Sequence, residues 1–280
     1  MAEPATKTPA AHREHRAPAE EPGITLLRWV ERPDGQMEQV ELRLTPELFL
    51  NPQLGDQIMP GERHGDTATD LYRLLKNHFR PQPDVLVLFD VKHLFGPELP
   101  GPSPDVSVIR GSQKGDRFSF DVEAEDALPC LIIEVVSPLD SRIRETDLDA
   151  KVKIYQRTGI LEYVIADSTM KDRRYRLLGY RLDRAGRYRP IPPDAEGRIL
   201  SETTGLWFQV SPDGERVLVF EYPSGQRLLN LEEAADQLLA TEEEARAAQQ
   251  KAEQEAEARQ AAEAEVARLK AELERLRGGK

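Results

Sequence analysis

The run PCLIIEVVSPLDSRIRETDLDAKVKIYQRTGILEYVIAD, residues 129 to 167, decides how the chain is read. Cys130-Leu131-Ile132-Ile133 is an apolar run, interrupted by the carboxylate Glu134, resumed by Val135-Val136 and stopped by Ser137-Pro138. A short β-branched run bounded by prolines predicts a buried strand, and a charge in its middle is costly unless something pairs with it. Beyond the break, Asp147, Lys151 and Tyr155 stand at i, i+4 and i+8 in a segment of helical composition, so they share one face. Lys153 points away from them. Gly159 ends the helix, and Glu162-Tyr163-Val164-Ile165-Ala166 forms a second strand closing at Asp167. Strand, helix, strand predicts parallel neighbours joined by a right-handed crossover, with functional groups gathered at the carboxyl ends of the strands.

Outward from this unit, Pro83 to Phe89 and Pro104 to Ile109 read as further strands, the latter opening on Asp105. A carboxylate at a strand entrance is commonly a turn residue. Taken with Glu134 and Lys151 it completes an Asp, Glu and Lys set, which is what phosphodiester hydrolysis needs. Two carboxylates hold a hard cation such as Mg²⁺, the cation polarises the phosphoryl oxygen and acidifies a water, and an ammonium orients that water or offsets developing charge. The bland alternative is a surface pair of Lys151 with Asp147, a turn-capping Asp105, and a Glu134 neutralised by a structural arginine.

Gly23 to Leu44 reads as two strands around the turn Pro33-Asp34-Gly35, followed by a Pro- and Gly-rich loop. A helix from Glu62 to Phe79 carries Leu71, Leu74, Leu75 and Phe79 as its apolar stripe. Glu62, His64 and Asp70 on or near it read as solvated polar residues rather than ligands, although a first helix can lend a group to a site built on strands. After Asp167 a strand meander follows: 174 to 182, 188 to 191, 206 to 210 and 217 to 222. Residues 171 to 189 hold eight basic residues, Lys171, Arg173, Arg174, Arg176, Arg181, Arg184, Arg187 and Arg189, against Asp172 and Asp183. Interleaved with Tyr175, Tyr180 and Tyr188, they are either a phosphate-contacting surface, extended by Arg142 and Arg144, or the solvated face of a hairpin.

The 280 residues carry a net charge of −12, a poor prior for nucleic-acid binding outside that segment. The single cysteine, Cys130, excludes an intramolecular disulfide framework and a cysteine zinc site. No apolar run approaches a membrane span and residues 1 to 22 lack a secretory core, so a cytoplasmic location and no membrane partner are expected. That Ala-, Pro- and charge-rich tail is expected to be disordered, its His12 and His15 no metal pair. From Leu228 to Arg277 the chain turns to Ala, Glu, Gln, Arg and Leu. A heptad seam, firm at Leu231 and Leu238 and at Val266, Leu269, Leu273 and Leu276, weakens between, where Glu255 and Arg259 interrupt it. It supports either a coiled-coil homodimer or a lone solvated helix.

Pro104-Asp105, then Glu134-Val135-Val136-Ser137-Pro138, then Asp147-x3-Lys151-x3-Tyr155-x3-Gly159, then Glu162 to Asp167, resemble the core pattern of the Uma-type restriction-endonuclease family of the PD-(D/E)xK superfamily. The stretch holding Leu48, Asn51-Pro52 and Gly55-Asp56 is also similar, and the resemblance covers about residues 23 to 225. It implies an α/β fold, a restriction-endonuclease-like core with a mixed central sheet flanked by helices, here with the long C-terminal helix added. It further implies a metal-dependent DNA endonuclease with Asp105 and Glu134 as carboxylates for Mg²⁺ or Mn²⁺, Lys151 as catalytic lysine, and Asp147 and Tyr155 in support. Nucleic-acid contacts would come from Arg142, Arg144, Arg173, Arg174 and Arg176, and self-association from the core or the C-terminal helix. In the superfamily's commoner arrangement the lysine stands two residues after the acid, where this chain has Val136, so here it must come from the neighbouring helix. Val164 also stands where relatives often carry tryptophan. The domain boundaries expected are a tail over 1–22, a nuclease-like domain over 23–227 and a helical extension over 228–280. The contrasting reading is a non-catalytic nucleic-acid-binding or scaffold protein that keeps the fold and works through the last helix.

Overall fold

The computed structural model describes residues 23–59, 61–137, 140–168 and 173–278. The expectations for residues 1–22, including His12 and His15, and for Lys171 and Asp172 fall outside these. Chain contacts divide it into two compact units, one ending at Leu228 and one beginning at Leu229.

The first unit opens with strands β1 (Thr25–Glu31) and β2 (Met37–Arg43), the predicted hairpin, and β3 (Gln57–Met59) pairs with β1 from the other side. What reads as loop between β2 and β3 contains the one-turn helix α1 (Pro46–Leu50), whose N-cap Thr45 accepts from the Leu48 N–H. Asp56 then closes this lobe with a two-pronged ion pair to Arg28 at 2.6 and 2.7 Å. Helix α2 (Glu62–His78) buries Leu71, Leu74 and Leu75 of the predicted stripe, with Ala68 added and Phe79 buried at its C-cap.

There follow β4 (Val85–Phe89), β5 (Lys92–Leu94), β6 (Val106–Arg110), β7 (Ser119–Asp121), α3 (Val122–Glu125) and β8 (Pro129–Val135). Helix α4 (Ser141–Glu145), a π turn (Thr146–Ala150) and helix α5 (Lys151–Thr158) lead into β9 (Glu162–Asp167). Gly159 caps α5 at φ 85°, the left-handed geometry a Cβ disfavours. Strands β10 (Arg176–Leu182) and β11 (Tyr188–Pro190) complete the sheet, and β12 (Ile199–Ser201), β13 (Leu206–Val210) and β14 (Val217–Glu221) make a separate antiparallel one. The short β5, β7 and β12 escape a periodicity reading because three residues carry no period.

The central sheet runs β11-β10-β9-β8-β6-β4. Its one parallel pair is β8 with β9, joined by the crossover through α4 and α5; the other neighbours are antiparallel. It is therefore mixed, with helices on both faces. Alternation along β8 sends Leu131, Ile133 and Val135 into a core with α2, β13 and β14, and Ile132 and Val136 into a second core with Ile154, Tyr155 and Tyr163. Glu134 has the parity of the second set and so faces α5. All seven residues of β8 are buried, which makes that orientation decisive for where the charge ends up.

The second unit is helix α6 (Leu231–Gly278). Pairs such as Arg259 with Glu263 at 3.0 Å line its surface, and Leu231, Leu238, Val266, Leu269 and Leu273 are all at least half exposed. Strong helix formers and i,i+4 pairs account for it as a helix. Among the described residues no helix is long and apolar enough to cross a membrane.

Candidate active site

Strand register brings the predicted set together. Because β6 runs antiparallel to β8 with Val106 opposite Ile133, the residue before β6, Asp105, lies beside Glu134 at the carboxyl end of β8. The same logic across β4, where Phe89 faces Val106, sets Asp90 at that end too. Asp90 holds a left-handed φ of 50°, and its N–H lies 3.1 and 3.2 Å from the carbonyl oxygens of Pro104 and Asp105.

From the helical side, the Lys151 ammonium reaches 2.9 Å from Glu134 Oε1 and 2.8 Å from Asp147 Oδ1. These are charge contacts, since neither Lys151 Nζ nor Asp147 Oδ1 has a hydrogen bond of good geometry. The Phe49 ring of α1 covers the ammonium at 3.9 Å. Tyr155 donates to Glu134 Oε1 at 2.9 Å. Asp147, Lys151 and Tyr155 thus face one spot as their spacing predicts, and Lys153 turns outward to Asp149. The sequence does not show that this stretch contains a π turn, in which the Lys151 N–H bonds back to the Thr146 carbonyl oxygen. Such turns are rare and recur at functional sites. Tyr163 of β9 donates to the Asp147 carbonyl oxygen at 3.1 Å and fastens the turn to the sheet.

The surface pairing of Lys151 is ruled out: its side chain is 1% exposed. The expectation of a solvated His64 also needs correction. Its Nε2 lies 3.1 Å from Asp105 Oδ1, and the ring is 17% exposed. Asp105 sits where the first turn of α2 overlooks the sheet end, a juxtaposition of positions 41 residues apart that no local pattern signals. Glu62 is exposed as expected, whereas Asp70 is half-buried.

Burial pushes Glu134 up to about 8, against the lowering pull of Lys151 and with Asp105 and Asp147 adding to the rise. Asp147 moves up for the same reason. Burial alone would depress Lys151, but Asp147, Glu134 and Asp105 together hold it above the ordinary lysine range. His64, also opposed by burial, is raised to about 9 by the charge and hydrogen bond of Asp105. Asp105 resists its own burial through His64, Lys151 and the Val135 N–H, which donates to Oδ2 at 2.7 Å, and stays below the usual carboxylate range.

His64, Asp105, Glu134 and Asp147 line a cleft of about 80 Å³ together with Asp90, Ser103 and Ser137, whereas Lys151 is not in its lining and meets it through Glu134 and Asp147. About 15 Å³ on this measure holds a water, so the cleft has room for a small cation and several waters. The Lys151 charge contact and the Tyr155 hydrogen bond to Glu134 both fall on Oε1, and Ser137 Oγ is buried without a hydrogen bond among the described residues. Carboxylate and hydroxyl oxygens are the donors hard cations take. Among the described residues no three His, Cys, Asp or Glu side chains form a ready-made metal cage. The donor set fits an ion held by two carboxylates that keeps much of its water.

The arginines expected on nucleic acid are differently engaged. Arg144 and Arg176 converge on Asp167 at 2.8 and 2.7 Å, and Arg142 pairs with Asp140 at 2.9 Å. Arg174 donates to the Pro212 carbonyl oxygen, and Arg173 is exposed.

A family model, Uma2, described as "Putative restriction endonuclease", matches residues 36–213. A solved structure described as "a putative nuclease belonging to DUF820", from Anabaena variabilis ATCC 29413, is similar at a TM-score of 0.39 and 17% identity, over 67% of this chain and 86% of that one. No curated protein matches the chain. With more than half its length under the family model, the chain belongs to the Uma2 family of restriction-endonuclease-like proteins.

Proposed function

We propose that the protein is an endonuclease that hydrolyses phosphodiester bonds of DNA with a divalent cation, Mg²⁺ or Mn²⁺, held by Asp105 and Glu134. The observation that carries this reading is the buried Lys151 ammonium, delivered from α5 to Glu134 at the sheet end where Asp105 opens onto the cleft. A bound cation would supply Lewis acidity toward the phosphoryl oxygen and a more acidic water. Asp105 and Glu134 supply anionic oxygens, and Ser137 Oγ adds a free hydroxyl to the same wall. Lys151 neutralises charge developing on the phosphate, while Asp147 and Tyr155 hold the ammonium and Glu134 in place. His64 holds Asp105 through Oδ1, and its positive charge when protonated opposes a cation at that carboxylate.

The test is plasmid nicking with Mg²⁺ or Mn²⁺ by the parent and by Asp105→Asn, Glu134→Gln and Lys151→Met, each checked for folding. Loss of at least about a hundredfold in rate is expected for Asp105→Asn, the substitution least costly to the core. Cleavage that survives all three unchanged places the chemistry elsewhere. A parent that never cleaves with either metal favours the non-catalytic reading.

A further inference from the structure

A second hollow, of about 520 Å³, runs between α2 and the outer edge of β4. Strand β4 ends the six-stranded sheet, so one side of its backbone has no strand neighbour. Lys76, Arg80 and Lys114 stand along this hollow, and all three are exposed. Lys76 donates to the Tyr72 hydroxyl at 2.5 Å, and Lys114 reaches the Phe79 and Arg80 carbonyl oxygens at 3.4 and 3.1 Å, where it caps α2. None of the three has a carboxylate partner among the described residues. Arg117 on the same wall is neutralised by Glu125, leaving Asp116 as the one opposing charge in the lining. In a chain of net charge −12 this is a local excess of positive charge, in contrast to Arg142, Arg144 and Arg176.

The hollow borders the candidate active site. Phe89 lines both, is 37% exposed, and lies 5.2 Å from the Tyr72 ring, so an aromatic pair stands at the junction. From His64 to Lys76 is about 18 Å of helix at 1.5 Å per residue. That matches about five nucleotides of a strand at 3.4 Å each. Cations spaced along a groove, with an exposed ring at the end where the chemistry lies, are the elements that track a sugar-phosphate backbone and stack a base.

We infer that the groove between α2 and the β4 edge, through Lys76, Arg80 and Phe89, binds the strand of nucleic acid that leads away from the Asp105 and Glu134 cleft. The nuclease reading supplies the kind of polymer; the binding itself requires no cleavage.

The experiment is fluorescence anisotropy of a labelled oligonucleotide, single-stranded and duplex, with the full-length protein in EDTA over a series of salt concentrations. Lys76→Gln combined with Arg80→Gln removes two exposed charges at little risk to folding, and affinity should fall about tenfold or more, with the salt slope shallower by about 1.5. Phe89→Ala should weaken the single strand about tenfold. Arg268→Gln with Lys270→Gln, the same charge change on α6, should leave binding unchanged. Arg173→Gln with Arg184→Gln tests the arginine-rich segment instead. The inference is overturned if the loss falls on that pair and spares the groove, or if all charge changes weaken binding equally. It is also overturned if sedimentation shows a dimer that the groove variants dissociate, since the β4 edge would then seat a second copy. Groove-dependent binding by a protein that never cleaves refutes the nuclease reading alone; cleavage with groove-independent binding refutes this one alone.

Discussion

Replacing Lys151 by Met tests whether one ammonium makes the buried carboxylates tolerable. It lies 2.9 Å from Glu134 and 2.8 Å from Asp147 and is 1% exposed, so solvent screens it little. At an effective dielectric of about 20, each contact corresponds to about 6 kcal/mol of Coulomb attraction before desolvation. Desolvation cancels much of that, and breaking a buried pair from one side costs about 3–5 kcal/mol. Against a total stability of about 5–15 kcal/mol, the variant should be folded but close to its limit near pH 8. The deficit should depend on pH with a definite sign. Without the ammonium, Glu134 and Asp147 have folded pKa values further above their unfolded ones, so the folded variant binds more protons and loses stability as pH rises. Toward acid pH, as Glu134 and Asp147 take up protons in both proteins, the gap should close or invert, because the parent then buries an ammonium that loses its partners. Urea unfolding followed by tryptophan fluorescence is the assay, since Trp29 and Trp207 both lie in the first unit. Adding Glu134→Gln and Asp147→Asn to Lys151→Met should recover most of the stability, leaving about 1–2 kcal/mol of deficit. Equal stability of parent and Lys151→Met at pH 8, or a deficit that the triple variant does not relieve, would refute the reasoning.

His64, raised from 6.5 to about 9 by Asp105, contributes stability that is complete below about pH 6.5 and lost as pH rises through 9. The contribution is at most about 3 kcal/mol, and the difference in urea midpoint between parent and His64→Gln should shrink across that window. Gly159→Ala, forced into φ 85° at the end of α5, should cost about 1 kcal/mol and lower the melting temperature without altering oligonucleotide binding. Truncation after Leu228 should leave the tryptophan-detected midpoint within about 0.5 kcal/mol of the parent, because Leu231, Leu238, Leu239, Val266, Leu269 and Leu273 of α6 are exposed.

The fold was legible where the sequence has period. The apolar run of β8, the stripe of α2 and the spacing of Asp147, Lys151 and Tyr155 each state a face, and each face is where the spacing puts it. Asp105, at a strand entrance, and Glu134, inside the next apolar run, could be joined as one set only by their chemistry with Lys151, and register then brings them together. His64 was not legible. It is one polar residue among several in the first turns of α2, and its neighbour Asp105 is fixed by tertiary packing alone. The π turn was equally hidden, because a one-residue expansion of a helical turn leaves the i, i+4 pattern of Asp147 and Lys151 intact on paper. Partners within the arginine-rich segment and its extension were not legible either: charge counts ignore them, and Arg176 and Arg144 both meet Asp167.

That contrast bears on what Glu134 is for. The same sheet buries two other carboxylates, and both are saturated. Asp167 takes three contacts from Arg144 and Arg176, while Glu162 accepts from Arg181, Ser201, Thr203 and two backbone N–H groups. Arginine forks of this kind fix a carboxylate bidentately and leave no oxygen free. Glu134 is treated otherwise. Its partners are a lysine, a compact charge on a flexible stem, and a tyrosine hydroxyl, and among the described residues both meet Oε1 of a side chain that lines the cleft. A carboxylate buried for structure alone has every reason to be saturated, as its two neighbours are. Glu134 is instead held at one oxygen by a lysine and a tyrosine, and that difference in partners separates it from the two arginine-bound carboxylates of the same sheet.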